Sequence, residues 1–94
     1  MPTHIQNSLQ TAIKELKEVK DLAAHFKSLG IKGKRHDCSK CVLAVYLSSV
    51  VGEPVLSDGE VAWVESMYGD TACRCRFKAF TDEFDAGEYP ELEA

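Results

Sequence analysis

Residues 41–51, Cys-Val-Leu-Ala-Val-Tyr-Leu-Ser-Ser-Val-Val, limit the possible folds of this chain more than any other stretch. On a helix, Cys41, Val42, Leu43, Val45, Tyr46, Leu47, Val50 and Val51 cover most of the circumference. A helix that is apolar nearly all round has to be buried. The run is only 11 residues long and holds two serines, whereas a bilayer span takes about 20 apolar residues. It is therefore predicted to be the buried central helix of a small globular domain, roughly 39–51, with Asp37 or Ser39 as N-cap. Gly52 ends it and Pro54 prevents its continuation. The rest of the chain must cover it.

The first 29 residues can supply that cover. Apolar residues at Ile5, Leu9, Ala12, Leu16, Val19, Ala23 and Phe26 are spaced 4, 3, 4, 3, 4, 3, which is one face of a helix. Thr3 is its expected N-cap and Gly30 its stop. The stripe broadens from Leu22 onward, so a break near Lys20 is allowed. Val55-Leu56 and Val61-Ala62-Trp63-Val64 read as two short strands around the turn Ser57-Asp58-Gly59-Glu60. Met67-Tyr68-Gly69 either extends the second strand or closes a loop. Residues 70–86 read two ways. At period two, Cys73, Cys75 and Phe77 share one strand face. At period 3.6, Cys73, Phe77, Phe80 and Phe84 form a helical stripe, with Asp70 or Thr71 as cap and Gly87 just beyond the end. The helical reading covers more residues and is preferred. Tyr89 and Leu92 are apolar enough to pin the tail 88–94 to the core.

These elements amount to one α+β domain over residues 1–94, with three main helices around one short β-hairpin in the order α-α-β-β-α. Residues 1–20 form an extension that either folds back or projects, and 88–94 form an acidic tail. At 94 residues, with 45% hydrophobic and 28% charged residues, the chain can bury a single core without staples. Neither a signal peptide nor a membrane span is visible, so a cytoplasmic location is expected. The four cysteines are then expected to be reduced thiols.

From residue 22 onward the chain resembles a group of small uncharacterised proteins of actinobacteria and their phages. Three segments carry the resemblance: Leu22-Ala23-Ala24-His25-Phe26 with Gly30-Ile31; Cys41-Val42-Leu43-Ala44-Val45-Tyr46-Leu47; and Phe80 with Phe84-Asp85-Ala86-Gly87-Glu88-Tyr89-Pro90-Glu91-Leu92. Val42 and Val45 stand where the group usually has proline and arginine, so any work that arginine does is absent here. The resemblance implies a closing helix at 71–86 and the order helix, helix, hairpin, helix. It points to a phage origin and implies no activity.

Charge is uneven. Residues 1–47 carry eight Lys/Arg and four Asp/Glu, a balance of +4, and residues 48–94 carry three and eleven, a balance of −8. A molecule with separated poles is expected, which can orient a partner without identifying it. Lys32, Lys34, Arg35 and Lys40 surround the start of the central helix, where free N–H groups attract anions. A phosphate, a nucleic-acid backbone or an acidic protein surface would suit that loop, 30–40, although a solvated loop would look the same.

The cysteines invite zinc. Cys38-x-x-Cys41 and Cys73-x-Cys75 could supply four thiolates, but on a helix Cys73 and Cys75 point about 200° apart. With 70–86 helical, Cys41 and Cys73 are expected as small core residues. Cys38 and Cys41 remain the alternative metal ligands, and a reactive thiol at that helix start is a weaker reading. Trp63 is expected in the core.

Paired carboxylates, a Ser/His/Asp order, a glycine-rich nucleotide fingerprint and HExxH are all missing from the sequence, so neither enzymatic activity nor a cofactor is expected. The leading expectation is a non-enzymatic interaction module, phage-encoded and acting on a host protein. Its contacts would be the helix-1 face Ile5, Leu9, Ala12, Leu16 and Val19, used for a partner or for a homodimer, or its charged poles. Anion or nucleic-acid binding by the basic loop is second and a small zinc-binding module third. The acidic tail could also mimic nucleic acid, although a solvated terminus is the simpler reading. No membrane partner is expected.

Overall fold

A computed structural model of the chain describes residues 4–65 and 73–93. They form four helices and a three-stranded antiparallel sheet. The order is α1 (His4–Lys17), α2 (Leu22–Ser28), α3 (Val42–Val51), β1 (Val55–Ser57), β2 (Val61–Val64), β3 (Cys73–Arg74) and α4 (Lys78–Asp85), then a 3-10 turn at Pro90–Leu92. The class is the predicted α+β, with one more helix and one more strand. Thr3, the segment Met67-Tyr68-Gly69 and the caps Asp70 and Thr71 lie outside the described residues. Among the described residues no helix is long and apolar enough to cross a membrane.

The start of α3 is the buried centre: Val42, Leu43, Ala44 and Leu47 are all within 1% of full burial, whereas Val50 in its last turn is 48% exposed. The helix starts at Val42 because Cys41, not Asp37 or Ser39, is its N-cap. Cys41 has extended backbone and its Sγ accepts from the Ala44 N–H at 3.5 Å. Asp37 acts one turn earlier, its carboxylate accepting from Ser39 N–H and Oγ. Those hydrogen bonds hold its carboxyl below the usual range. Gly52, at φ +83°, stops the helix as predicted. The Ser48 hydroxyl then accepts from the Val55 N–H at 2.8 Å and ties α3 to β1.

The long first helix breaks in two. Asp21 takes extended backbone and its side chain accepts from the Ala24 N–H at 3.1 Å, capping α2 afresh. Tight turns, Glu18 N–H to Glu15 O and Val19 N–H to Leu16 O, close α1 before it. The break lets α1 lie on α3 and sends Phe26 into the core. Leu9, Ala12 and Leu16 are 0%, 1% and 1% exposed, and Ile5 and Val19 are half-buried. Residues 4–17 thus fold back over the domain and do not project. Leu9, Ala12 and Leu16 of the helix-1 face are thus spent on the core, and only Ile5 and Val19 keep part of their surface.

β1 and β2 pair Val55 with Val64, Leu56 with Trp63 and Ser57 with Ala62. The Asp58 carboxylate accepts from the N–H groups of Glu60 and Val61, both at 2.9 Å, and shapes the turn. Val55, Ser57, Ala62 and Val64 face inward, and Trp63, expected in the core, is only half-buried on the opposite face. The helix expected over 71–86 is corrected most. Cys73 and Arg74 pair with Ala62 and Val61 as a third strand. Cys75 N–H and Phe77 N–H then donate to Glu60 O and Gly59 O. These hairpin carbonyls accept the very N–H groups a helix would have used, so only residues from Lys78 turn helical.

An aromatic chain joins the remaining pieces. Phe26 lies 5.3 Å from Tyr46 and 5.7 Å from Phe80 between ring centres, and Phe80 stacks on Tyr89 at 5.2 Å. Leu92 is fully buried, so the tail is pinned through both predicted anchors.

Candidate functional site

Two basic regions can be compared in the folded chain. The first is the strap at 31–41, predicted as a free loop. Gly33 N–H donates to Leu92 O at 2.8 Å, making a parallel bridge to Glu93, and Lys34 N–H donates to Lys40 O at 2.7 Å. Gly33 lies so close to the start of α3 that a Cβ there would sit 2.6 Å from Lys40 O and collide with the Val42 nitrogen. The strap therefore lids the helix terminus that was expected to attract anions. Val42–Ala44 are buried and the Ala44 N–H is taken by Cys41.

The acidic tail packs on this same strap. Arg35 Nε is 3.0 Å from Glu93 Oε1. His36, at φ +58°, donates its N–H to Asp85 Oδ1 at 2.9 Å, and its Nδ1 lies 3.8 Å from the other oxygen. The basic strap and the acidic tail are thus neighbours. Lys32, Lys34 and Lys40 are exposed and have no ion pair among the described residues. They do not enclose a site, however. The cleft beside the strap, about 350 Å³, is lined by Asp37, Asp58 and Asp85 together with Cys38 and Cys41, and by no lysine or arginine. The cleft itself is thus acidic and is not formed by the residues expected to hold an anion.

The thiols in and near that cleft are held by the core. Cys41 is 5% exposed, its Sγ donates to Ser57 O at 3.8 Å, and burial pushes its thiol pKa up. A reactive thiolate at position 41 is therefore not favoured. Cys75, not Cys73, is the second core thiol; it donates to Gly59 O at 3.4 Å and burial raises its pKa too. Cys38 is exposed. The helix that would have separated Cys73 from Cys75 does not form. Even so, among the described residues no three His, Cys, Asp or Glu side chains gather as metal ligands.

The second basic region was missed in the sequence. A groove of about 400 Å³ opens between the α1–α2 corner and α4 with the tail. Its floor includes buried Leu16 and Phe77, and half-buried Val19, Leu22, Phe80 and Tyr89. Lys17, Lys20 and Arg76 stand on its rim, exposed and without an ion pair among the described residues. The two acids on the rim are already engaged: Asp21 caps α2, and Glu83 accepts from the Tyr89 hydroxyl. That hydrogen bond, ahead of burial, pushes the Tyr89 pKa up to about 12.

Arg76 reaches the rim at φ +59°, a left-handed conformation that costs a non-glycine residue about 1 kcal/mol. The flanking bonds of Cys75 and Phe77 to the hairpin hold it there. The only sequence signal was the alternation Cys73-Arg74-Cys75-Arg76, which the period-two reading contains. Lys17 and Lys20 carried none, because they read as the wet side of a helix. Comparison with protein-family models, with curated proteins and with solved structures returns no match.

Proposed function

We propose that this chain is a non-enzymatic interaction module, and that it binds an acidic segment of a partner protein with apolar anchors in the groove between the α1–α2 corner and α4. The observation that carries the reading is one concavity in which the partly exposed side chains of Val19, Leu22, Phe80 and Tyr89 lie among three cations that no carboxylate of the described residues pairs. Apolar floor and unpaired rim charge are the two elements of a peptide-binding surface: burial supplies affinity, and charge supplies orientation and on-rate. In this reading, taken with the sequence resemblance to proteins of actinobacteria and their phages, the chain is phage-encoded and the partner is a host protein.

Nucleic acid is the weaker ligand for this groove. Phe80 and Tyr89 stack on each other, which occupies ring faces that a base would use. The test is an NMR titration of the isotope-labelled full chain with a pool of synthetic peptides made of Glu, Asp, Leu and Phe. Shifts at Leu22, Ala23 and Phe80 are expected. Shifts confined to residues 32–40, or none at all, would sink the groove.

A further inference from the structure

A second, smaller cavity of about 160 Å³ lies between α1 and β3, roughly the liquid volume of five waters. Lys17 lines both this cavity and the groove, so the two share a wall. Among the described residues, Lys14, Lys17 and Arg74 surround it together with Gln10, Ile13 and Cys73, and no carboxylate is among them. Lys14 and Lys17 are three residues apart on one helix face, and Arg74 meets them from the edge strand.

Like charges brought together in this way oppose one another. The negative end of the α1 dipole accounts for two lysines in its last turn, but it does not account for an arginine presented from β3. None of the three has an ion pair among the described residues. Cys73 adds no negative charge, since burial raises its thiol pKa, and Gln10 lies within hydrogen-bonding reach of it. The cavity therefore offers cations and polar groups beside Ile13, which is 4% exposed, and no carboxylate of the described residues pairs its charge.

We infer that this cavity is a carboxylate subsite. It receives an acidic side chain of the same partner segment whose apolar side chains fill the groove, so the segment crosses Lys17 from one cavity to the other. The inference rests on the groove reading and adds to it where the acidic group binds and which residues hold it. Bidentate pairing with Arg74, flanked by Lys14 and Lys17, is the chemistry that recognises a carboxylate.

The experiment uses the full chain and the same acidic peptide pool, with Gln/Asn versions of the peptides as the neutral control. Alkylation of Cys73 by iodoacetamide at mildly alkaline pH, read by peptide mass spectrometry, reports the subsite, and exposed Cys38 serves as internal reference. The acidic peptides are expected to slow labelling of Cys73 several-fold and leave Cys38 unchanged, while the neutral peptides do not. Lys14→Gln with Arg74→Gln should lower affinity about tenfold or more. Lys20→Gln with Arg76→Gly tests the groove separately, since glycine relieves the backbone at 76.

If affinity falls with the groove pair but neither Cys73 labelling nor the Lys14/Arg74 pair responds, the subsite is wrong and the groove stands. If no peptide binds, both are wrong. Protection of Cys73 by a single-stranded oligonucleotide, and not by peptide, would overturn the assignment to a protein segment. The labelling measurement uses the unaltered protein, so it holds even if a variant fails to fold.

Discussion

Lys32, Lys34, Arg35 and Lys40 lie in one stretch of sequence, whereas Lys14, Lys17 and Lys20 meet Arg74 and Arg76 from a stretch more than fifty residues away. In the strap, backbone bonds run to the tail, Arg35 meets Glu93, His36 meets Asp85, and the adjoining cleft is lined by carboxylates. Around the groove and the small cavity, the cations border concavities that also hold apolar side chains, and they have no pair among the described residues. The contrast teaches that a basic run in sequence measures local charge density, while available charge depends on what the fold packs beside it. Here the acidic tail returns to the basic strap and makes it a structural clasp. Lys32, Lys34 and Lys40 stay exposed beside it but line none of the described concavities, whereas Lys14, Lys17, Lys20, Arg74 and Arg76 do.

If the strap is a clasp, breaking it should cost stability and leave the groove's chemistry intact. Leu92→Ala, which empties a fully buried site under the strap, should cost about 3 kcal/mol in denaturant unfolding. A loss below about 1 kcal/mol would mean that the tail is not part of the core. Gly33→Ala should cost about 2 kcal/mol, because the added methyl meets backbone at the start of α3 that cannot move aside. A neutral result would show that the strap does not sit against the helix terminus.

The Tyr89–Glu83 bond on the groove side gives a smaller, pH-dependent effect. The Tyr89 pKa is raised from 10 to about 12 in the fold, so the unfolded chain loses this proton first. The contribution is complete below pH 10 and disappears as pH rises toward 12. Wild type should therefore lose stability faster over that window than Tyr89→Phe; parallel curves would contradict the bond. The smallest effect is expected from Arg35→Gln. Its ion pair with Glu93 is solvent-accessible, so the loss should be about 0.5 kcal/mol and should vanish at high salt.

The sequence showed clearly where one element's pattern was decisive. The apolar run of α3, its stop at Gly52 and the turn at Asp58 could all be read because each depends on local chemistry. The two anchors of the tail, Tyr89 and Leu92, could be read from their apolarity. Residues 73–77 could not, because two periodicities fit them and the choice was made by carbonyls of Gly59 and Glu60, distant in sequence. The helix-1 face was visible but its use was not: an apolar stripe pairs equally well with α3 or with another molecule. Of the candidate site, the lysines of the strap were noticed because they are contiguous. The groove was not, since Lys17, Lys20 and Arg76 become neighbours only after α1 breaks and β3 joins the sheet.

The distinction between an engaged strap and an available groove is tested most directly by two charge reversals of equal size in the full chain: Lys32→Glu with Lys34→Glu, and Lys20→Glu with Arg76→Glu. Both change the net charge equally, so overall electrostatics cancel from the comparison. Affinity for the acidic peptide pool is measured by fluorescence anisotropy at physiological salt, where charges more than about 8 Å apart are screened. The groove pair should abolish binding and the strap pair should change it less than about threefold, well under one tenfold step of 1.4 kcal/mol. Equal losses, or a loss with the strap pair alone, would contradict the account.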